Sequence, residues 1–213
     1  MREKGPAVKS KVEAVFEAET PQALAKSYDE LATSYDDALD TDISPQRAVE
    51  ALVRYCECGE RILDAGCGTG KVGQILREVG YATLEGLDIS PGMLAEARKK
   101  SCYIALHQQD LGGVLSFADG TFDAVVSVGV FVRSHAPSSS FDELIRITRP
   151  GGFIVFTLRP EFYNASDFKD RLAALTTAGR WRWIETGDPF NAGFREFPDI
   201  NLQVWVYQVL PAP

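Results

Sequence analysis

The residues best suited to chemistry are three aspartates, each at or just beyond the end of an apolar stretch, and one set of alternating glycines. Asp64 closes the run Arg61-Ile62-Leu63-Asp64 and passes at once into Ala65-Gly66-Cys67-Gly68-Thr69-Gly70. Glycine at such positions accepts positive φ and lets a ligand reach the main chain without meeting a Cβ. Val72, Ile75, Leu76 and Val79 then keep helical spacing, so the unpaired N–H groups and positive dipole end of a helix face the turn. Asp88 follows about twenty residues later, the separation at which an acid ending the second strand can hydrogen-bond a ribose diol. Asp110 could accept from an adenine amino group while the adjacent Leu111 N–H meets a ring nitrogen; the competing reading is a surface-loop aspartate.

These residues need a scaffold, and the rest of the chain reads as one. Residues 8–39 are helical in pattern with a break at Thr20-Pro21, where Thr20 suits an N-cap and Pro21 the first helical position. Leu24, Tyr28, Leu31 and Tyr35 recur along one face. Ser44-Pro45 repeats the cap-and-proline start for a helix to about Tyr55. Strands are expected over Tyr81–Asp88, Cys102–His107, Phe122–Gly129, 153–158, 180–185 and 202–209. Helices are expected from Ser90-Pro91 to about Lys100, from about Ser140 to Thr148 and from about Ser166 to Ala178. Phe122–Gly129 is almost uninterruptedly apolar, as a central parallel strand covered on both faces must be. The alternation predicts an α/β fold, a doubly wound sheet with helices on both faces, its ligand beyond the carboxyl ends of the strands. In Arg180-Trp181-Arg182-Trp183, strand alternation puts both tryptophans on a buried face and both arginines in solvent, against a reading as a nucleic-acid stacking motif.

Composition restricts what the site can serve. The 213 residues are 45% hydrophobic and 24% charged, enough for one substantial core in a single domain. A net charge of −8 argues against DNA or other non-specific nucleic-acid binding and against an anionic membrane surface. No run of roughly eighteen apolar residues occurs and the start is polar, so an intracellular, cytoplasmic protein is expected. Cys56, Cys58, Cys67 and Cys102 lack the spacing of a zinc site or a secreted disulfide framework, which leaves four reduced thiols and no metal.

Charge then selects the ligand. A dinucleotide pyrophosphate would lie against the glycine turn, two residues from the carboxylate of Asp64, which is unfavourable for an anion. A ligand carrying an ammonium and a sulfonium gains from that acid, while its own carboxylate uses the helix N-terminus. S-adenosylmethionine has this arrangement.

Asp64-Ala-Gly-Cys-Gly-Thr-Gly70, Gly86-Leu-Asp88-Ile-Ser-Pro-Gly-Met93-Leu, Phe122-Asp-Ala-Val-Val and Arg149-Pro-Gly-Gly-Phe153 together resemble the class I S-adenosylmethionine-dependent methyltransferases. The match covers most of residues 25–160, and Tyr28-Asp29-x-x-Ala32-x-x-Tyr35-Asp36 is similar to the ubiquinone-biosynthesis type. The resemblance implies a Rossmann-like seven-stranded sheet, mostly parallel with an antiparallel last strand. It also implies a helical lid over 8–57, a cofactor core over 58–160 and a substrate-side region over 161–213. By motif, Gly66, Gly68 and Gly70 would border the methionine part, with Asp64 and Cys67 of the same turn in the cofactor-binding set, and Asp88 would border the ribose. Ile89 and Met93 would meet the adenine faces, Asp110 and Leu111 its edge, and the Val128 carbonyl the amino group. Tyr28 and Tyr35 would lie on the lid. Met93 could equally be a core residue, Cys67 a small side chain filling the turn, and the tyrosines anchors of their helix.

The expected chemistry is an in-line displacement: an acceptor atom takes the sulfonium methyl and S-adenosylhomocysteine leaves, with no metal required. For a hydroxyl or thiol acceptor His135, in the loop after the central strand, is the candidate general base, the alternative being a solvated loop histidine. His107 reads as a structural residue. Phe190, Phe194, Arg195 and Phe197 could shape an acceptor pocket or form a clasp over apolar surface. A small-molecule acceptor is favoured. Protein or RNA methylation is the second reading, a non-catalytic cofactor-binding regulator the third, and a nicotinamide oxidoreductase the last, disfavoured by Asp64.

Overall fold

A computed structural model of the chain describes residues 14–195 and 197–211. The first full helix, α1 (Pro21–Ala38), starts as its sequence predicts, with the Thr20 hydroxyl accepting the Ala23 N–H at 3.2 Å. The next, α2 (Ser44–Leu52), departs from prediction at both ends. Ser44 lies inside the helix and the Asp42 carboxylate accepts its N–H at 2.9 Å, taking the role expected of Ser44, and the helix stops short of Tyr55.

The alternating core follows as β1 (Ile62–Ala65), α3 (Lys71–Glu78), β2 (Leu84–Asp88), α4 (Pro91–Lys99), β3 (Ala105–Gln108), β4 (Phe122–Phe131), α5 (Ser140–Ile147) and β5 (Thr148–Leu158). The C-terminal part adds α6 (Pro160–Ala165), α7 (Phe168–Thr177), β6 (Trp181–Thr186), β7 (Phe190–Asn191) and β8 (Asn201–Val209). The six-residue α6 and two-residue β7 are too short to leave a periodic signal, and the sequence reading lacked both. β2 and β3 each begin three residues later than expected. Tyr81 is buried with its hydroxyl on the Cys56 carbonyl, and Tyr103 packs against Gly73 of α3.

The sheet runs β3-β2-β1-β4-β5-β8-β6, with β7 paired to β8 off this path. β3 through β5 are parallel, and β8, the last strand, is antiparallel to both its neighbours, as the resemblance implied. Strand order reverses between β1 and β4, so a crevice opens at their carboxyl ends.

One face of the sheet is sealed by aromatic packing. Phe141 of α5 is fully buried, with ring centroids 4.5 Å from Phe131, 4.8 Å from Phe156 and 5.2 Å from Trp181. Phe141→Ala should therefore lower unfolding free energy in a denaturant titration by about 3–5 kcal/mol, the cost of a large buried cavity. Trp181 stacks on Tyr207 at 4.1 Å, but Trp183 is 56% exposed, which corrects the expectation that both tryptophans are buried. β6 is the sheet edge and its register shifts after Trp183, so the cover over Trp181 does not extend along the whole strand. His107 is the structural residue it was read as: Nε2 lies 2.7 Å from Glu85, whose carboxylate also pairs with Arg61.

Candidate cofactor site

The carboxyl ends of β1, β2 and β4 open into a cavity of about 320 Å³. Its floor is the glycine turn. Gly68, at φ +52°, lines the cavity, yet a Cβ built on it would meet nothing within 4 Å. Protein packing thus leaves free the space beside its backbone, the space a ligand lying against the main chain would fill. Gly66, at φ +80°, is held glycine differently, because a Cβ there would strike Val130.

Asp88 ends β2 beside this turn and is 8% exposed. Oδ2 accepts the Gly68 N–H at 2.8 Å and Oδ1 the Ser90 N–H at 2.9 Å, leaving each oxygen capacity for a further donor from the cavity. Burial pushes its pKa up to about 6, against the lowering effect of those N–H bonds. Ile89 and Met93 continue the same wall, Met93 only 1% exposed on α4. Asp110 and Leu111 also line the cavity, with Asp110 Oδ1 accepting the Gly112 N–H at 2.8 Å in a tight turn. Val128 lines the cavity where β4 is irregular: Gly129 takes φ +73° and donates its N–H to Thr157 Oγ1 at 2.9 Å. Such a bulge re-aims the backbone at the end of the strand.

Three residues named with this set, Asp64, Cys67 and Gly70, do not line the cavity. Asp64 is 1% exposed and does not line the cavity; Oδ2 accepts from the Tyr103 hydroxyl at 2.5 Å and Oδ1 has no hydrogen-bond partner. Burial pushes its pKa up to about 7, with the Tyr103 hydrogen bond opposing and the charge of Asp88 adding to the shift. Cys67 also turns away from the cavity. A Cβ on Gly86 would stand 2.9 Å from its sulfur, so it fills the space under the turn, and burial holds the thiol well above its ordinary pKa.

The roof comes from α1 and the loop after β4. Tyr28 and Tyr35 line the cavity with rings edge to face at 6.3 Å. The Tyr28 hydroxyl is 2.7 Å from His135 Nε2, and His135 Nδ1 is 2.9 Å from the Arg133 carbonyl. A carbonyl only accepts, so Nδ1 carries the proton and Nε2 accepts from Tyr28. Burial lowers the His135 pKa and favours this neutral ring. The adjacent Ser134 sits at φ +67°, a left-handed conformation unusual for serine. Residues 18–21 close the same end of the cavity, a contribution sequence reading missed because these residues carry no chemical signature. None of the described residues of 186–201 lines the cavity; Phe190 instead packs on the α2–α3 face beside Arg47, as the clasp reading expects, and the Gly193 carbonyl accepts from the Thr41 hydroxyl at 2.5 Å. Among the described residues no group of three or more His, Cys, Asp or Glu side chains is placed to hold a metal, and no helix is long and apolar enough to cross a membrane.

Comparison with known proteins agrees with this geometry. Residues 63–156 match the family model described as a methyltransferase domain. Methyltransferase-like protein 27 of Homo sapiens is 34% identical over 189 residues, covering 84% of this chain and 76% of that protein. The 18S rRNA (guanine(1575)-N(7))-methyltransferase of Saccharomyces cerevisiae is 45% identical over 139 residues, 60% of this chain but only 50% of its own length. Among solved structures, the [4+2]-cyclase SpnF superposes with a TM-score of 0.73 at 16% identity over 92% of this chain and 98% of that one, a likeness of fold. The glycine turn, the acid ending β2 beside it and relatives matched across most of the chain converge, and the chain belongs to the S-adenosylmethionine-dependent methyltransferases.

Proposed function

We propose that this methyltransferase acts on a small-molecule acceptor whose reacting group is a hydroxyl, and that the cavity residues divide between cofactor and acceptor. Gly66 and Gly68 would lie along the methionine part, Asp88 would receive the ribose hydroxyls, and Ile89, Met93, Asp110 and Leu111 would enclose the adenine. The Val128 carbonyl, Tyr28 and Tyr35 would face the amino-acid end. Bound S-adenosylmethionine supplies an electrophilic methyl, which passes to the acceptor oxygen as the carbon–sulfur bond breaks. Asp64 and Cys67 support the turn from behind. The unpaired Asp64 Oδ1 adds negative potential beneath a cationic ligand without touching the cavity.

The observation that carries the acceptor reading is the covered end of the cavity, where Tyr28 and His135 join α1 to the post-β4 loop. A neutral His135 with Nε2 as acceptor is the protonation state a general base needs, and the Tyr28 hydroxyl lies on the path to it. The acceptor proton passes to the Tyr28 oxygen as the Tyr28 proton passes to Nε2. A cover of this kind and a net charge of −8 both oppose an RNA acceptor, whose phosphates call for a basic field. Half of the yeast rRNA enzyme lies outside its match with this chain, so its acceptor belongs to a longer protein.

Methyl-labelled S-adenosylmethionine incubated with the protein and a cell extract should place label in the low-molecular-weight fraction. Label confined to RNA or protein would reverse the acceptor reading. With an acceptor so found, His135→Ala should cut kcat about a hundredfold while leaving S-adenosylhomocysteine affinity unchanged; unaltered turnover would remove the base.

A further inference from the structure

The Tyr28-Asp29 and Tyr35-Asp36 pairs repeat at a seven-residue interval on α1, and the tyrosines account for only half of the pattern. Seven residues are two helical turns, a rise of about 10.5 Å. Each tyrosine lines the cavity, and each following aspartate engages a different one of the two loops that form its floor.

Asp29 Oδ1 accepts from the Ser90 hydroxyl at 2.6 Å and from the Gly92 N–H at 2.7 Å. The second contact satisfies an otherwise free donor in the first turn of α4. Gly92 must be glycine for α1 to come so near, since a Cβ there would lie 2.8 Å from Asp29 Oδ1 and 2.9 Å from the Asp29 Cα. Asp36 Oδ1 accepts from the hydroxyl of Thr69, a residue 2% exposed inside the glycine turn, at 2.5 Å. Its other oxygen pairs with Lys100 at 2.6 Å.

Asp88 joins the same two loops from below, with Ser90 N–H on one oxygen and Gly68 N–H on the other. The bonds therefore close a ring: Asp29 to Ser90, Ser90 to Asp88, Asp88 to the Gly68-Thr69 turn, Thr69 to Asp36, and Asp36 back along α1 to Asp29. We infer that Asp29 and Asp36 are positioning residues that lock α1 to both cofactor loops and fix the Asp88 carboxylate for the cofactor ribose. The inference rests on the cofactor assignment proposed above.

A ring responds to cutting differently from a set of independent contacts. Opening it at one place frees both loops, so a second cut costs less than the first. Calorimetric titration of the full chain with S-adenosylhomocysteine should show Asp29→Ala weakening binding about tenfold, on the scale of one or two charge-assisted hydrogen bonds. Asp29→Asn, whose amide oxygen accepts from Ser90 and Gly92 in the same place, should restore most of that loss. Thr69→Val, which opens the ring at the other loop, should weaken binding by a similar factor and serves alone if Asp29→Ala does not fold. The double variant should bind only slightly worse than either single one. With an acceptor in hand, the cofactor KM should rise while kcat at saturating cofactor stays near that of the unaltered protein.

Equal affinity in Asp29→Ala and the unaltered protein would overturn the inference and leave the cofactor assignment standing. Loss of binding that Asn does not restore, or two losses that multiply fully in the double variant, would also overturn it. No binding by the unaltered protein would overturn the cofactor assignment itself, and the ring's role with it.

Discussion

Asp88→Ala is expected to reduce affinity for S-adenosylhomocysteine about a hundredfold, the largest effect of any single substitution in the cavity. The carboxylate lines the cavity and is positioned by the Gly68 and Ser90 N–H bonds, one on each oxygen, with acceptor capacity left for a ligand. A vicinal diol matches that pair, and two hydrogen bonds to a buried charge are each worth about 1.5 kcal/mol or more. Their sum, about 3 kcal/mol, corresponds to the predicted factor. The alanine also strands the Gly68 and Ser90 N–H donors and loosens both loops, so the entropic cost of ordering them falls on binding. Far-ultraviolet circular dichroism should stay unchanged, since Asp88 ends its strand and its side chain takes no part in the core. A folded variant that binds like the unaltered protein would sink the ribose assignment.

Lowering the pH from about 8 to about 5.5 should remove the destabilising contribution of two buried carboxylates, Asp64 and Asp88, to the ligand-free protein and weaken its hold on the cofactor. Asp64 and Asp88 have pKa values raised from 3.8 to about 7 and about 6, in both cases chiefly because burial penalises the charged form. The folded chain therefore binds more protons than the unfolded chain between about pH 4 and pH 7. Stability contributed by these groups is present below that window and is lost as pH rises through it. A cationic ligand reverses the preference by favouring the ionised carboxylates, so its affinity grows over the same range. Asp64→Asn isolates the effect. It keeps an oxygen for the Tyr103 hydroxyl, removes the buried charge, and should stabilise by on the order of 2 kcal/mol more at pH 8 than at pH 5.5. Thermal melts of the two proteins at both pH values read this directly; parallel melting curves would show that Asp64 ionises in the folded state at its ordinary pKa.

Much of the candidate site was legible because its information is local. A strand, a turn that only glycine tolerates, a helix start and an acid about twenty residues on lie in one stretch of chain, and the parallel sheet converts that spacing into one crevice. The carboxyl-end rule then placed Asp88, Asp110 and Val128 on its wall without reference to any distant segment. Element types followed for the same reason, and the misses fell on pieces such as α6 and β7 that are shorter than a hydrophobic period can reveal.

What tertiary structure alone decided is which distant groups meet. Position in the sequence gives Asp64 a place at the end of β1, but the partner that draws its carboxylate away from the cavity is Tyr103, 39 residues later. His135 was a loop histidine with two readings until α1 placed the Tyr28 hydroxyl, 107 residues away, on its Nε2. The 186–201 aromatics could have formed a pocket, yet the pairing of β7 with β8 brings Gly193 to Thr41 in the α1–α2 turn and packs Phe190 beside Arg47 of α2. Asp29 and Asp36 were visible as a repeat, but a repeat on one helix does not say what it grips. Side-chain type and spacing determine what a residue can bond to; only the packing of the sheet against α1 determines which of those partners comes within reach.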